Sequence, residues 1–183
     1  FGGVNTLWDR RYGFMNKALT SPISRSSIAL GKMSAISLIS ALQASLIVGI
    51  ALAIGVTFPN PFMIAPIMAI VILFSLGFSG ISVIVAATAK SQETFWGVIN
   101  FLGMPLFMLS PALFPLELLP GWLATIAKLN PVTYTVLLVR EMMTGVSEGG
   151  ISVLLSIGVI VVFVLVMVGL ASYVFTREVD KPF

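Results

Sequence analysis

Long apolar runs alternate with short polar breaks along this chain. The first run, residues 28 to 56 (IALGKMSAISLISALQASLIVGIALAIGV), and the second, 62 to 89, flank the proline-bounded turn TFPNPF at 57 to 62. The polar stretch KSQET, 90 to 94, precedes a third run, 95 to 115, which holds Asn100, Pro105 and Pro111 and is expected to bend. The fourth, 151 to 175, carries no charge and no proline. At about 1.5 Å per residue, each run is long enough to cross the roughly 30 Å hydrocarbon core of a bilayer. The pattern predicts an all-α, polytopic helical membrane protein with four complete transmembrane helices. The first run exceeds the core thickness, so its opening turns, with Lys32, are expected to project into water.

The stretch between the third and fourth runs, LELLPGWLATIAKLNPVTYTVLLVREMMTGVSEGG, breaks the rhythm. Split at Asn130-Pro131 it gives helical pieces of about 10 and 13 residues, both short of the ~20 needed to cross. Pro120 and Pro131 suit the opening turns of the two pieces, and Gly145 suits the stop of the second. Residues 116 to 145 therefore read as a broken re-entrant hairpin before the last span, with Pro120, Trp122, Asn130, Pro131, Arg140 and Glu141 as its notable positions. A charge at the bilayer centre costs about 2.5–3.5 kcal/mol, and much less near the interface, which puts Arg140 and Glu141 at headgroup depth. There they either anchor the hairpin or line an outer gate.

Composition agrees with lipid as the main solvent: 58% of the 183 residues are hydrophobic, 9% are charged, and the mean hydropathy is +1.08. A soluble domain is about 45–50% apolar. Arg10, Arg11, Lys17, Arg25, Lys32, Lys90, Arg177 and Lys181 fall on one side of the predicted topology, against Lys128 and Arg140 on the other. The positive-inside rule then puts both ends of the chain in the cytosol and the hairpin at the outer face. The chain opens on Phe1, with no initiator methionine or signal peptide before it, which implies a start within a longer protein.

Function classes narrow accordingly. With no cysteine and no histidine, thiol nucleophiles, disulfides, imidazole acid-base chemistry and the usual zinc ligands are excluded, and neither a catalytic constellation nor a metal site is visible. Basic residues at the ends of apolar spans form no nucleic-acid stripe. Gly31-Lys32 is no phosphate-binding loop, because Ser26 and Met33 stand where that pattern needs a glycine and a hydroxyl residue. Nucleotide chemistry must belong to another chain. Ser75, Gly77, Ser79, Gly80, Ser152 and Ser156 are small residues suited to close helix packing, while Asn100 and Gln43 need partners within their spans. As a helix, residues 8 to 20 place Trp8, Tyr12 and Met15 along one face beside Asp9 and Arg10, as an interfacial anchor or a docking element.

Two stretches carry a resemblance. ALTSPISRSSIALGK, 18 to 32, is similar to the Leu-x-x-Pro-x-Ser-Arg and Gly-Lys signature of the ABC type-2 exporter permeases, and FPLELLPGWLATIAKLNPVTYTVLLVRE, 114 to 141, to their Phe-Pro, Leu-Pro-x-Trp, Asn-Pro and Arg series. Such permeases normally have six spans, so the resemblance makes this a single permease domain lacking the N-terminal spans. Residues 1 to 8 would be the tail of a missing span, 9 to 27 the cytosolic coupling helix and loop, and 176 to 183 a cytosolic tail. It further implies a second permease copy, as homodimer or pseudo-dimer, and a separate cytosolic ABC ATPase subunit carrying ATP and magnesium. No cofactor is expected in this chain and no bond chemistry. The coupling residues would be Asp9, Arg10, Arg11, Tyr12, Phe14 and Met15, with Asp9 in the place of the glutamate that often heads the family's coupling segment. The function implied is export of a hydrophobic or amphipathic substrate, a drug, lipid or glycan, across a bacterial or archaeal cell membrane. An ion-coupled secondary transporter or a channel is the alternative, disfavoured because the middles of the spans hold no charged residue.

Overall fold

A computed structural model describes residues 2–12, 22–56, 60–147 and 149–178, with the backbone alone for Arg10 and Arg11. In chain order the helices are α1 (Gly2–Arg11), α2 (Arg25–Ala53), α3 (Ile64–Thr88), α4 (Gln92–Met108), α5 (Gly121–Leu129), α6 (Pro131–Thr144) and α7 (Val153–Glu178). Single turns of 3-10 helix, Pro61–Met63 and Leu116–Leu118, lead into α3 and α5. No strand occurs among the described residues.

Side chains set the boundaries. Ser24 caps α2 by accepting from the Ser27 N–H, Asn60 accepts from the Phe62 N–H, and Ser91 caps α4 by accepting from the Thr94 N–H. At the far end of α6, Gly145 stops the helix in the left-handed region at φ +73°.

Among the described residues, three helices are long and apolar enough to cross a membrane: Arg25–Ala53, Pro61–Thr88 and Val153–Glu178. The expected crossing at 95 to 115 is instead the 17-residue α4, roughly 26 Å long. Pro111 explains the early stop. It has no N–H to offer the Phe107 carbonyl, which accepts instead from the backbone N–H and the Oγ of Ser110 as the chain turns away. Between α5 and α6 the axis bends by 91°, so the split at Asn130-Pro131 is a true break in direction.

α3 is central, flanked by α2 and α7, with α6 laid on α7 and α3 at one end. Ala29 and Met33 of α2, Val83 and Ala87 of α3, and Ala171 and Phe175 of α7 share one buried cluster. The start of α2 and the ends of α3 and α7 therefore lie together, at what we term the base. The opposite end, the cap, holds α5, α6 and their loops. Burial inside the bundle is modest because lipid replaces much of the core, and apolar side chains such as Leu38, Leu42 and Leu165 point outward. The small residues serve close approach: a Cβ on Gly77 would lie 3.1 Å from Val164 Cα, and one on Gly80 would lie 3.0 Å from the Met167 carbonyl. Ser37 Oγ donates to the Ile72 carbonyl at 2.8 Å, closing the α2–α3 seam, and Asn100 donates to the Trp96 carbonyl in its own helix.

Candidate functional site

At the base, α1 lies across the ends of α2, α3 and α4. Its first residues have no room for side chains: a Cβ on Gly2 would lie 2.4 Å from Ile36 Cγ1, and one on Gly3 would lie 2.6 Å from Ser82 Cβ. Val4 and Leu7 are buried against Val85, Ala86, Ala89 and Phe95. One turn on, Lys32 Nζ donates to Asp9 Oδ2 at 2.5 Å, with the two side chains 19% and 31% exposed. Trp8 and Tyr12, one helical turn apart, face outward, Tyr12 being 79% exposed. α1 thus has a face set into the bundle and an aromatic face turned away from it.

Of the six expected coupling residues, Asp9, Arg10 and Arg11 lie in the last turn of this helix and Tyr12 directly follows it, with Asp9 turned to the bundle and Tyr12 turned outward. Phe14 and Met15 lie outside the described residues, as do the side chains of Arg10 and Arg11. Residues 2 to 8 and 9 to 11 form one unbroken helix, with no joint at the boundary between the expected tail and coupling segment. The Ser-Arg and Gly-Lys pieces of the 18 to 32 motif have structural uses: Ser24 caps α2, Arg25 Nη1 reaches the Thr176 carbonyl of α7 at 3.5 Å, and Lys32 holds Asp9. Lys32 was expected in water. It is largely covered because α1 passes over it.

The cap is knit by side chains that satisfy backbone groups left over at helix ends. The Asn130 Nδ2 donates to the Leu106 carbonyl of α4 at 2.5 Å, and its Oδ1 accepts from the Val132 N–H at 3.0 Å. Thr133 Oγ1 donates to the Ala127 carbonyl at 2.6 Å and the Tyr134 hydroxyl to the Lys128 carbonyl at 2.7 Å. The C-terminal carbonyls of α5 are therefore satisfied by α6, which fixes the bend. Arg140 Nη2 donates to the Pro111 carbonyl at 2.9 Å, and Glu117 Oε1 accepts from the Gly149 N–H at 3.0 Å. Arg140 thus stands near hydrocarbon because a proline-rich turn leaves a carbonyl that needs a donor. Pro120 precedes α5, Pro131 opens α6, Trp122 is exposed, and Glu141 is half-buried, its backbone carbonyl accepting from Gly145.

Apolar grooves open on either side of Leu129. One of about 450 Å³ runs between α4 and α5, walled by Phe101, Pro105, Leu106 and Ile126; one of about 690 Å³ lies between the bend and α7, walled by Pro131, Leu155, Val159 and Phe163. Among the described residues no group of three or more His, Cys, Asp or Glu side chains is placed to hold a metal. What this arrangement offers is a helix with an exposed aromatic face at the base and a braced cap at the other end.

Comparison with known proteins points to a family of transport proteins. Residues 1–144 match the family model described as ABC-2 type transporter. The chain is 35% identical over 133 residues to a putative transport permease ycf38 of Cyanophora paradoxa, covering 71% of this chain and 45% of that protein. It is 31% identical over 135 residues to the protein of the same name in Pyropia yezoensis, covering 73% and 46%. It is also 27% identical over 130 residues to the probable multidrug ABC transporter permease YbhR of Escherichia coli strain K12, covering 69% and 34%. The matched region spans less than half the length of these relatives. No solved structure matches.

Proposed function

This chain belongs to the ABC-2 type transporter family, and from that premise we propose that it is part of the membrane permease of an ATP-driven exporter whose ATP hydrolysis takes place on a separate cytosolic subunit. The single observation that carries the proposal is α1: a helix wedged by Gly2, Gly3, Val4 and Leu7 into the base of the bundle, with Trp8 and Tyr12 turned outward. Arg25, Lys32, Lys90 and Arg177 lie at that same end, which supports a cytosolic base under the positive-inside rule. Both ends of the chain would then be cytosolic, in a bacterial or archaeal cell membrane.

The ATPase would bind the outward face of α1 and the residues that follow, with Tyr12, Phe14 and Met15 as apolar anchors and Arg10 and Arg11 as orienting charges, residue types favoured at partner interfaces. A second permease copy would meet the α4 side, where Phe101, Met104, Phe107 and Met108 are exposed and apolar. A hydrophobic or amphipathic substrate such as a drug, lipid or glycan would pass between the copies. The braced cap, with Pro120, Trp122, Asn130, Pro131, Arg140 and Glu141, would close the outer end of that path.

The test is the full-length protein co-expressed with a candidate ABC ATPase subunit from the same organism. Tyr12→Ala with Phe14→Ala is expected to lower the ATPase recovered with the permease and to lower ATP-dependent dye export from proteoliposomes. Unchanged recovery and export would overturn the proposal, as would proton flux through the purified permease without ATP.

A further inference from the structure

In the proposed coupling arrangement, on which this inference rests, Asp9 would be grouped naturally with the charges that meet the ATPase. Its position says otherwise. The carboxylate turns toward the bundle, where Lys32 of α2 donates to it, while Tyr12 in the next turn is the residue turned outward.

We infer that the Asp9–Lys32 pair is a strut, a positioning contact that ties the exposed turn of α1 to the first full crossing and transmits displacement between them. Three features carry this. Among the described side chains, Val4 and Leu7 make apolar contacts in the first two turns of α1, where Gly2 and Gly3 let it approach closely; such contacts hold the helix down but are non-directional. Asp9 is in the last turn, beside the outward-facing residues, so a directional bond there controls the angle at which they are held. On the other side of the bond, Lys32 precedes Met33, which is fully buried among Val83, Ala87, Ala171 and Phe175. A pull on Lys32 is therefore a pull on the three-helix core. The pair is partly covered, which protects it from the screening that makes fully exposed ion pairs worth little.

The experiment uses the full-length permease in complex with its ATPase. This chain has no cysteine, so once any cysteines in the rest of the permease and in the ATPase are replaced by serine, Leu129→Cys in the exposed cap can carry a bimane fluorophore whose emission reports ATP-dependent movement there. Asp9→Asn and Lys32→Met are each expected to keep the ATPase bound while the ATP-dependent emission change falls about fivefold or more, the lower end of typical coupling between sites. Exchanging the charges, Asp9→Lys with Lys32→Asp, is expected to bring the response back to within about twofold of the parent, the signature of a pairwise interaction. Asp9→Glu with Lys32→Arg keeps the pair and is expected to retain the response, which serves should the neutral variants fail to fold.

Loss of the ATPase from Asp9→Asn alone would make Asp9 a partner contact and overturn the inference. Unchanged emission in both single variants, or failure of both paired variants, would overturn it too. A parent complex that holds the ATPase but gives no ATP response would sink the strut while leaving the permease assignment standing. A parent that binds no ATPase would remove both.

Discussion

Replacing Asn130 by alanine tests whether the cap is a braced unit. Its two amide atoms do different work, and the identity of each partner fixes which way the amide points: the Oδ1 faces the Val132 N–H and the Nδ2 faces the Leu106 carbonyl. Loss of the helix cap costs about 1 kcal/mol. The Leu106 carbonyl has no ready substitute, because the Ser110 N–H that would bond it in a continued helix is used by the Phe107 carbonyl. Leaving such a group unsatisfied costs about 1–3 kcal/mol. Asn130→Ala should therefore destabilise the bend by roughly 2–4 kcal/mol, a thirty-fold or greater rise in its open population. Asn130→Ser keeps an N-cap oxygen and loses only the reach to α4, so it should fall between the parent and alanine. Asn130→Asp sets a carboxylate against a carbonyl and should be worse than serine. Amide hydrogen exchange on the detergent-solubilised full-length protein, read over α5 and α6, measures these openings locally. An alanine variant whose protection differs from the parent by less than about 0.5 kcal/mol, the scatter of neutral surface changes, would refute the bracing argument, as would serine proving worse than alanine.

The glycines of α3 divide from those of α4. Gly77→Val and Gly80→Val force α3 away from α7 and should each lower stability by about 1–3 kcal/mol in thermal unfolding by size-exclusion chromatography, whereas Gly97→Val and Gly103→Val, with nothing within 4 Å of the added Cβ, should stay near the parent. At the cap, Arg140→Met should cost about 1.5–3 kcal/mol, the range for a hydrogen bond to a charged group, and should raise protease cleavage in residues 109 to 120 while leaving α2 and α3 protected. Cleavage no faster than in the parent would mean that Arg140 does not hold that turn.

How much of this was legible beforehand depends on the range of the interaction. α2, α3 and α7 follow from run length and apolarity, and the bend follows from Asn130-Pro131, because a proline that opens one helix ends the one before it. The small residues Ser75, Gly77, Ser79 and Gly80 pointed to close packing, and Gly77 and Gly80 sit where a Cβ has little room. The end of α4 at Met108 is harder to read, since 95 to 115 is one apolar run and the effect of Pro111 lies in one missing donor. Partnerships across the chain were not visible at all. Lys32 with Asp9 spans 23 residues, Asn130 with Leu106 spans 24, and Arg140 with Pro111 spans 29. Sequence shows that a charge or amide stands in costly surroundings; only the fold shows which group makes the position tolerable.

Between base and cap, the apolar middle supplies little hydrophobic attraction among helices, since lipid is as apolar as leucine, and close fit with a few serine bonds must hold the bundle. The ends are different, because unpaired carbonyls and charges there find directional partners. α7 joins the two: Phe175 belongs to the base cluster, Ile160 and Val164 to the cluster with Leu138 of α6, and no proline interrupts the roughly 22 Å between Phe175 and Ile160. α4 has Pro105 within it and ends at a turn that Arg140 and Asn130 hold from the cap. A displacement of the base should therefore reach the cap along α7 as a rigid shift, and α4, whose hydrogen-bond ladder is already interrupted, should take up the strain. The element most exposed on the proposed copy-facing side is then also the one built to bend.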